Sequence, residues 1–247
     1  MRSDLNDIIE KQPSQHSLDW YRARLGRITG SQVGRLMQSG KGDALFGKDA
    51  MAYINEIASE RLLNPADIAV DDKLDEYLLQ TTTTTKAMAW GIDQEMNARG
   101  LYCSTYKHKV KSCGAIQYAD WCWWFASSPD GVVIEENGVI EIKCPMPKTH
   151  TEYLFNVTDA ESLKALKPLY YWQCLAHMLV TDAHWCDWMT YCPFSQKPLH
   201  VVRIEYNTAD AQQLLERVGV ANSLINAIVN KCKKTNRQAA DDCVINK

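Results

Sequence analysis

Residues 128–145 constrain this chain more tightly than any other stretch. They run Ser128-Pro129-Asp130-Gly131, Val132-Val133-Ile134, Glu135-Glu136-Asn137-Gly138 and Val139-Ile140-Glu141-Ile142-Lys143-Cys144-Pro145. Asn137-Gly138 is a turn pair that tolerates left-handed backbone, and it separates two β-branched runs, so a β-hairpin is expected here. Side chains alternate along a strand, which sends Glu141 and Lys143 to one face and Ile140 and Ile142 to the other. Asp130 sits at the turn entering the first strand, and folding the hairpin brings it back towards Glu141 and Lys143.

An exposed hairpin with a Glu–Lys ion pair is the simpler reading of these charges. The apolar runs beside them argue instead for a buried sheet, where charged groups persist only when paired or bound to metal. Magnesium prefers oxygen ligands and keeps several waters, so Asp130, Glu141, a main-chain carbonyl and a phosphate oxygen form an appropriate set. Lys143 has a different use: orienting or deprotonating an attacking water, or offsetting charge that builds on a phosphate.

Elsewhere, apolar periodicity predicts a helix starting near Thr29 or Gly30 with Ser31 in its first turn, and another over residues 51–63 ended by Asn64-Pro65. Further helices are expected over 86–102, carrying Glu95, over 164–180 after Pro168, and over about 208–234. Strands are expected at 115–118, 121–126, 131–135, 139–142, 185–191 and 199–206. Residues 39–47 hold three glycines and read as a mobile loop. Residues 71–85 are acidic and then threonine-rich, and five consecutive β-branched threonines at 81–85 favour an extended surface excursion over helix. The expected fold class is α/β, a central mixed sheet flanked by helices, in one domain over 1–247 with its core at about 18–206.

With 247 residues, 46% of them hydrophobic, the chain can bury one large core. A formal charge of −3 disfavours a protein that coats nucleic acid indiscriminately, yet permits basic groups along a channel. Nine cysteines, odd in number and without a Cys-X-X-Cys pair, are expected as reduced thiols of a cytosolic protein. Neither a secretory signal nor a membrane span is expected, because no run of eighteen apolar residues occurs.

Five ordered segments resemble the lambda exonuclease family, also called YqaJ-type viral recombinases, within the nucleases that carry a Pro-Asp…Asp/Glu-X-Lys core. They are Trp20-Tyr21-Arg22-Ala23-Arg24-Leu25-Gly26-Arg27-Ile28-Thr29-Gly30-Ser31, Ala87-Met88-Ala89-Trp90-Gly91-Ile92-Asp93-Gln94-Glu95, Ser128-Pro129-Asp130-Gly131, Glu141-Ile142-Lys143-Cys144-Pro145, and Tyr170-Tyr171-Trp172-Gln173 running on to Met178-Leu179-Val180-Thr181. The resemblance implies a restriction-endonuclease-like nuclease core in which Asp130 and Glu141 hold Mg2+, with Mn2+ as a substitute and the Ile142 carbonyl as third ligand. It further implies that Lys143 serves the attacking water, that Glu95 reaches the same site through metal-bound water or Lys143, and that Asp120 is an acidic neighbour. Arg24, Ser31, Ser128 and Gln173 match positions lining a pocket for a terminal 5′ phosphate, where a guanidinium fork and hydroxyl and amide donors suit an anion. Leu175 departs from the family, which often places a second glutamine there.

The activity implied is 5′ to 3′ exonucleolysis at double-stranded DNA ends, releasing 5′ mononucleotides and leaving 3′ single-stranded tails for annealing-type recombination. A homotrimeric ring, a single-strand annealing protein as partner and a phage or prophage origin in a bacterial cytoplasm are implied with it. An endonuclease with the same core, and an inactive DNA-end-binding scaffold, are the alternatives; Asp130, Glu141, Lys143 and Glu95 together argue against the scaffold.

Other groups take plainer readings. Cys103, Cys113, Cys122 and Cys144 lack the tight spacing of iron–sulfur ligands. His177, one turn beyond Gln173, reads as a packed histidine. Trp121, Trp123 and Trp124 read as core or subunit interface before base-stacking platforms. The lysines around 107–111 and 231–234 are either DNA-backbone contacts or solvated surface.

Overall fold

The computed structural model describes residues 5–82, 85–119 and 121–245. In chain order the elements are α1 (Leu5–Glu10), α2 (Leu18–Arg24), β1 (Ile28–Thr29), α3 (Gly30–Leu36), α4 (Lys48–Glu60), α5 (Pro65–Ile68), α6 (Asp71–Thr81) and α7 (Lys86–Tyr106). There follow β2 (Ile116–Gln117), β3 (Phe125–Ser127), β4 (Gly131–Val133), β5 (Gly138–Lys143), α8 (Pro147–Asn156), α9 (Ala160–Leu166), α10 (Pro168–Thr181), β6 (Trp185–Tyr191), β7 (Leu199–Glu205) and α11 (Thr208–Ile245).

A mixed four-stranded sheet, ordered β4-β5-β6-β7, carries the hairpin: β4 runs antiparallel to β5, β5 parallel to β6, and β6 antiparallel to β7. A separate small sheet, ordered β1-β3-β2, lies beside it. On β5 the alternation read from sequence sorts the core. Val139 joins the main cluster with Trp188, Leu175 and Met178, whereas Ile140 and Ile142 pack with Ala98 and Tyr102 of α7. Each of these buried aliphatic side chains contributes roughly 1.5–3 kcal/mol. That pins the register and so fixes the face on which Glu141 and Lys143 emerge. Helix α10 is buried from Tyr171 to Thr181 and forms the wall opposite that face.

Several local expectations are corrected. Residues 71–81 form helix α6 rather than an extended excursion, while Thr83 and Thr84 lie outside the described residues. The acidic pair Asp71 and Asp72 suits the helix N-terminus, Leu74 is fully buried, and Asp71 is bound by Arg22 at 2.6 Å. Long-range packing there outweighs the propensity of the first threonine, and Thr85 caps α7 by accepting from the Met88 amide. Strand β3 begins only at Phe125, because residues 121–124 turn, and Trp121 and Trp123 are exposed rather than packed in the core. Strand β4 stops at Val133 and a 3-10 turn over Ile134–Glu136 leads to left-handed Asn137. Helix α8 was not anticipated. The glycine-rich segment 39–47 has no regular structure but is tied down: buried Arg217 donates to the carbonyls of Leu36 (2.6 Å) and Leu45 (2.5 Å). No described helix is long and apolar enough to cross a membrane.

Candidate active site

A cleft of about 570 Å3 opens between the end of β5, the first half of α7, α2 and α10. Asp130, Glu141, Ile142, Lys143, Glu95, Arg24, Ser31, Ser128 and Gln173 all line it. Asp120 lies outside the described residues.

Glu141 is the most enclosed of these groups, with 1% of its surface exposed. A carboxylate there needs compensation, since removing an ion from water costs several kcal/mol. Both oxygens receive it: Oε1 lies 2.5 Å from Lys143 Nζ, and Oε2 lies 2.7 Å from His177 Nε2. His177 is itself fully buried, and its Nδ1 is 2.7 Å from Ser127 Oγ. Burial opposes ionisation of Glu141, yet the Lys143 ammonium and the His177 contact outweigh it and bring its pKa down to about 2.

Asp130 has the opposite balance. Its Oδ2 accepts from the Ile142 amide at 2.6 Å, but burial, then the charges of Glu141 and Glu95, push its pKa well above the ordinary aspartate value. Lys143 and His177 thus compensate Glu141, whereas burial and two carboxylates leave Asp130 held against ionisation. Ile140 O accepts from Asp130 N and Ile142 N donates to Asp130, so this edge of β5 faces the turn, and the Ile142 carbonyl emerges beside Asp130. Two carboxylates and one carbonyl fit a hard divalent ion. A cation taking Glu141 Oε1 must compete with Lys143. Burial opposes the charge of Lys143, but Glu141 and Asp130 more than restore it and hold the side chain as an ammonium. Among the described residues, no three His, Cys, Asp or Glu side chains gather as a metal shell.

The remaining residues form two groups. Arg24 donates to Ser31 Oγ at 3.1 Å and to Ser128 Oγ at 3.3 Å, and its guanidinium lies 4.3 Å from the Trp20 ring centre. Among the described residues no carboxylate forms an ion pair with it, although the charge of Glu60 acts on it from a distance. Gln173, by contrast, accepts from Lys143 Nζ at 3.4 Å and so belongs with the acidic end of the cleft. Glu95 is held by Arg99 at 2.5 Å rather than by Lys143.

A family comparison identifies residues 19–184 as a YqaJ-like viral recombinase domain. The chain belongs to that family. Two crystal structures of an alkaline exonuclease, LHK-Exo from Laribacter hongkongensis, one of them in complex with dAMP, match with a TM-score of 0.72 and 26% identity. The match covers 90% of this chain and 100% of that one. A phage related exonuclease from Haemophilus somnus 129PT matches with a TM-score of 0.64 over 83% of this chain and 96% of its own, and at 14% identity it supports the fold alone. No curated protein matches. Family and fold together make this chain a deoxyribonuclease of the alkaline-exonuclease type, an enzyme class that generally needs a divalent metal.

Three contacts at this nuclease's site escaped sequence reasoning. His177 is a partner of Glu141 and not just a packed histidine; its placement four residues beyond Gln173 was the available signal. Tyr170, one turn before Cys174, puts its ring 4.8 Å from Lys143 Nζ. Gln15 donates from Nε2 to the carbonyls of Cys113 and Pro129, both at 2.9 Å, and so braces the turn that presents Asp130. Nothing in local sequence signalled Gln15.

Proposed function

We propose that this nuclease is a magnesium-dependent 5′ to 3′ exonuclease acting on the ends of duplex DNA. The observation that carries this reading is that the Arg24 guanidinium with its two hydroxyls and the carboxylate–lysine cluster line one cleft. A terminal 5′ phosphate held by Arg24, Ser31 and Ser128 leaves the next phosphodiester to reach Asp130, Glu141 and Lys143. Asp130, Glu141 and the Ile142 carbonyl would hold magnesium, which when bound would supply Lewis acidity towards the phosphate and acidify water. Lys143 orients or deprotonates the attacking water, or stabilises a phosphate oxygen. Gln173 and Tyr170 fix that ammonium, and His177 fixes Glu141. Water attacks phosphorus, the bond to the 3′ oxygen of the terminal nucleotide breaks, and that nucleotide leaves as a 5′ monophosphate with a 3′ hydroxyl. The shortened strand carries a new 5′ phosphate, the group the Arg24 end of the cleft takes.

The 3′ tails so produced suit annealing-type recombination, with a single-strand annealing protein as partner, a homotrimer around the duplex and the cytoplasm of a bacterial or phage-infected cell as the setting. Digestion of a duplex labelled separately at each end, phosphorylated or hydroxylated at the 5′ termini, with magnesium or chelator, tests polarity, end recognition and metal need together. Loss of label from the 3′ end first, or cutting of a closed circular plasmid, refutes the reading.

A further inference from the structure

Four described residues other than glycine have left-handed backbone: His16 (φ 66°), Lys107 (64°), Asn137 (51°) and Asp182 (59°). The last three each close a helix and bond their amide into its final turn, as left-handed caps do. His16 closes none. It follows the N-terminal segment and precedes Ser17, the N-cap of α2. A side chain in this conformation is disfavoured relative to glycine, and such positions concentrate at functional sites.

His16 lines the cleft beside Arg24 and Ser128. Its ring centre is 5.2 Å from that of Trp20, the same indole that carries the Arg24 guanidinium and donates to Ser128 Oγ at 3.2 Å. Neither imidazole nitrogen has a hydrogen-bond partner among the described residues. A ring with no hydrogen-bond partner among the described residues thus shares its aromatic support, Trp20, with a guanidinium that no described carboxylate bonds. A phosphate monoester brings three acceptor oxygens, more than the Arg24 fork alone addresses.

We propose that His16 is a specificity-determining residue for the DNA end, donating an imidazole N–H to the terminal 5′ phosphate alongside Arg24. The assignment rests on the end-recognition reading above. The test compares kcat/KM on 5′-phosphorylated and 5′-hydroxyl duplexes for wild type, His16→Gly and His16→Gln, with melting temperatures. His16→Gly relieves the backbone and is expected to melt no lower than wild type. It is also expected to lose roughly fivefold to tenfold of the preference for phosphorylated ends, through KM. His16→Gln keeps a donor and retains most of the preference. A wild-type preference that survives intact in His16→Gly, or that falls equally in both variants, overturns the role of His16 alone. Absence of any preference in wild type overturns the end-recognition reading and this assignment with it.

Discussion

Replacing His177 with alanine tests whether Glu141 is held in place by its neighbours or merely faces the cleft. The two ring nitrogens of His177 span Glu141 Oε2 and Ser127 Oγ in a dry interior. Truncation leaves both partners unsatisfied, at about 1–2 kcal/mol each and at the upper end for the ionised one. The vacated imidazole volume adds about 1 kcal/mol. The total is roughly 3–5 kcal/mol. For a domain of this size it lowers Tm by roughly 10 °C. The pH dependence carries a definite sign. With Glu141 depressed from 4.5 to about 2, its ionised form contributes stability above the unfolded value, and that contribution is lost as pH falls through the folded one. His177→Ala raises the Glu141 pKa, so the wild-type advantage is full at neutral pH and narrows in acid. Guanidinium titrations followed by tryptophan fluorescence at neutral and acid pH measure both effects. A loss at neutral pH below about 1 kcal/mol, the size of one ordinary hydrogen bond, refutes the argument. So does a gap that stays constant in acid.

Lys143→Ala and Asp130→Asn are expected to lower kcat by roughly 1,000-fold or more while far-UV circular dichroism stays unchanged; turnover within tenfold of wild type removes these groups from the chemistry. Because the Asp130 pKa is raised, its protonated form stabilises the metal-free protein at low pH and that stabilisation is lost as pH rises through the folded value. Magnesium is therefore expected to raise Tm more in alkaline than in acid buffer, and calorimetry showing no such trend, or the same rise in Asp130→Asn, contradicts the cation assignment. Arg24→Ala is expected to cost roughly tenfold or more in kcat/KM on 5′-phosphorylated ends, read against hydroxyl ends in the same assay. Gly30→Ala would place a β-carbon 1.8 Å from Ser127 Oγ, the hydroxyl bonded to His177, and is expected to destabilise the fold by about 1–3 kcal/mol in thermal melts.

How far the sequence could be read followed from the range of the interactions involved. The hairpin was legible because turn chemistry and period-two alternation are local, and the core residues Val139, Ile140 and Ile142 divide between the faces as alternation requires. Helix α6 was misread because five threonines spoke locally for extension, whereas the burial of Leu74 and the pairing of Asp71 with Arg22 are set by distant contacts. Of the two readings for Trp121 and Trp123, core or subunit interface, the core one fails for the complementary reason: aromatic content predicts burial on average, and here a turn exposes both.

By itself, the order of residues determined that Glu141 and Lys143 would emerge together from one strand, with Asp130 at the turn before its hairpin partner. Only the tertiary structure decided which partner each would take: His177 for Glu141, Gln173 and Tyr170 for Lys143, and Arg99 for Glu95. Ionisation is governed by burial and by charges a few ångströms away, and those neighbours arrive from α7, α10 and the turn before β4, far apart along the chain. That is why two carboxylates eleven positions apart, alike in sequence, have pKa values displaced in opposite directions.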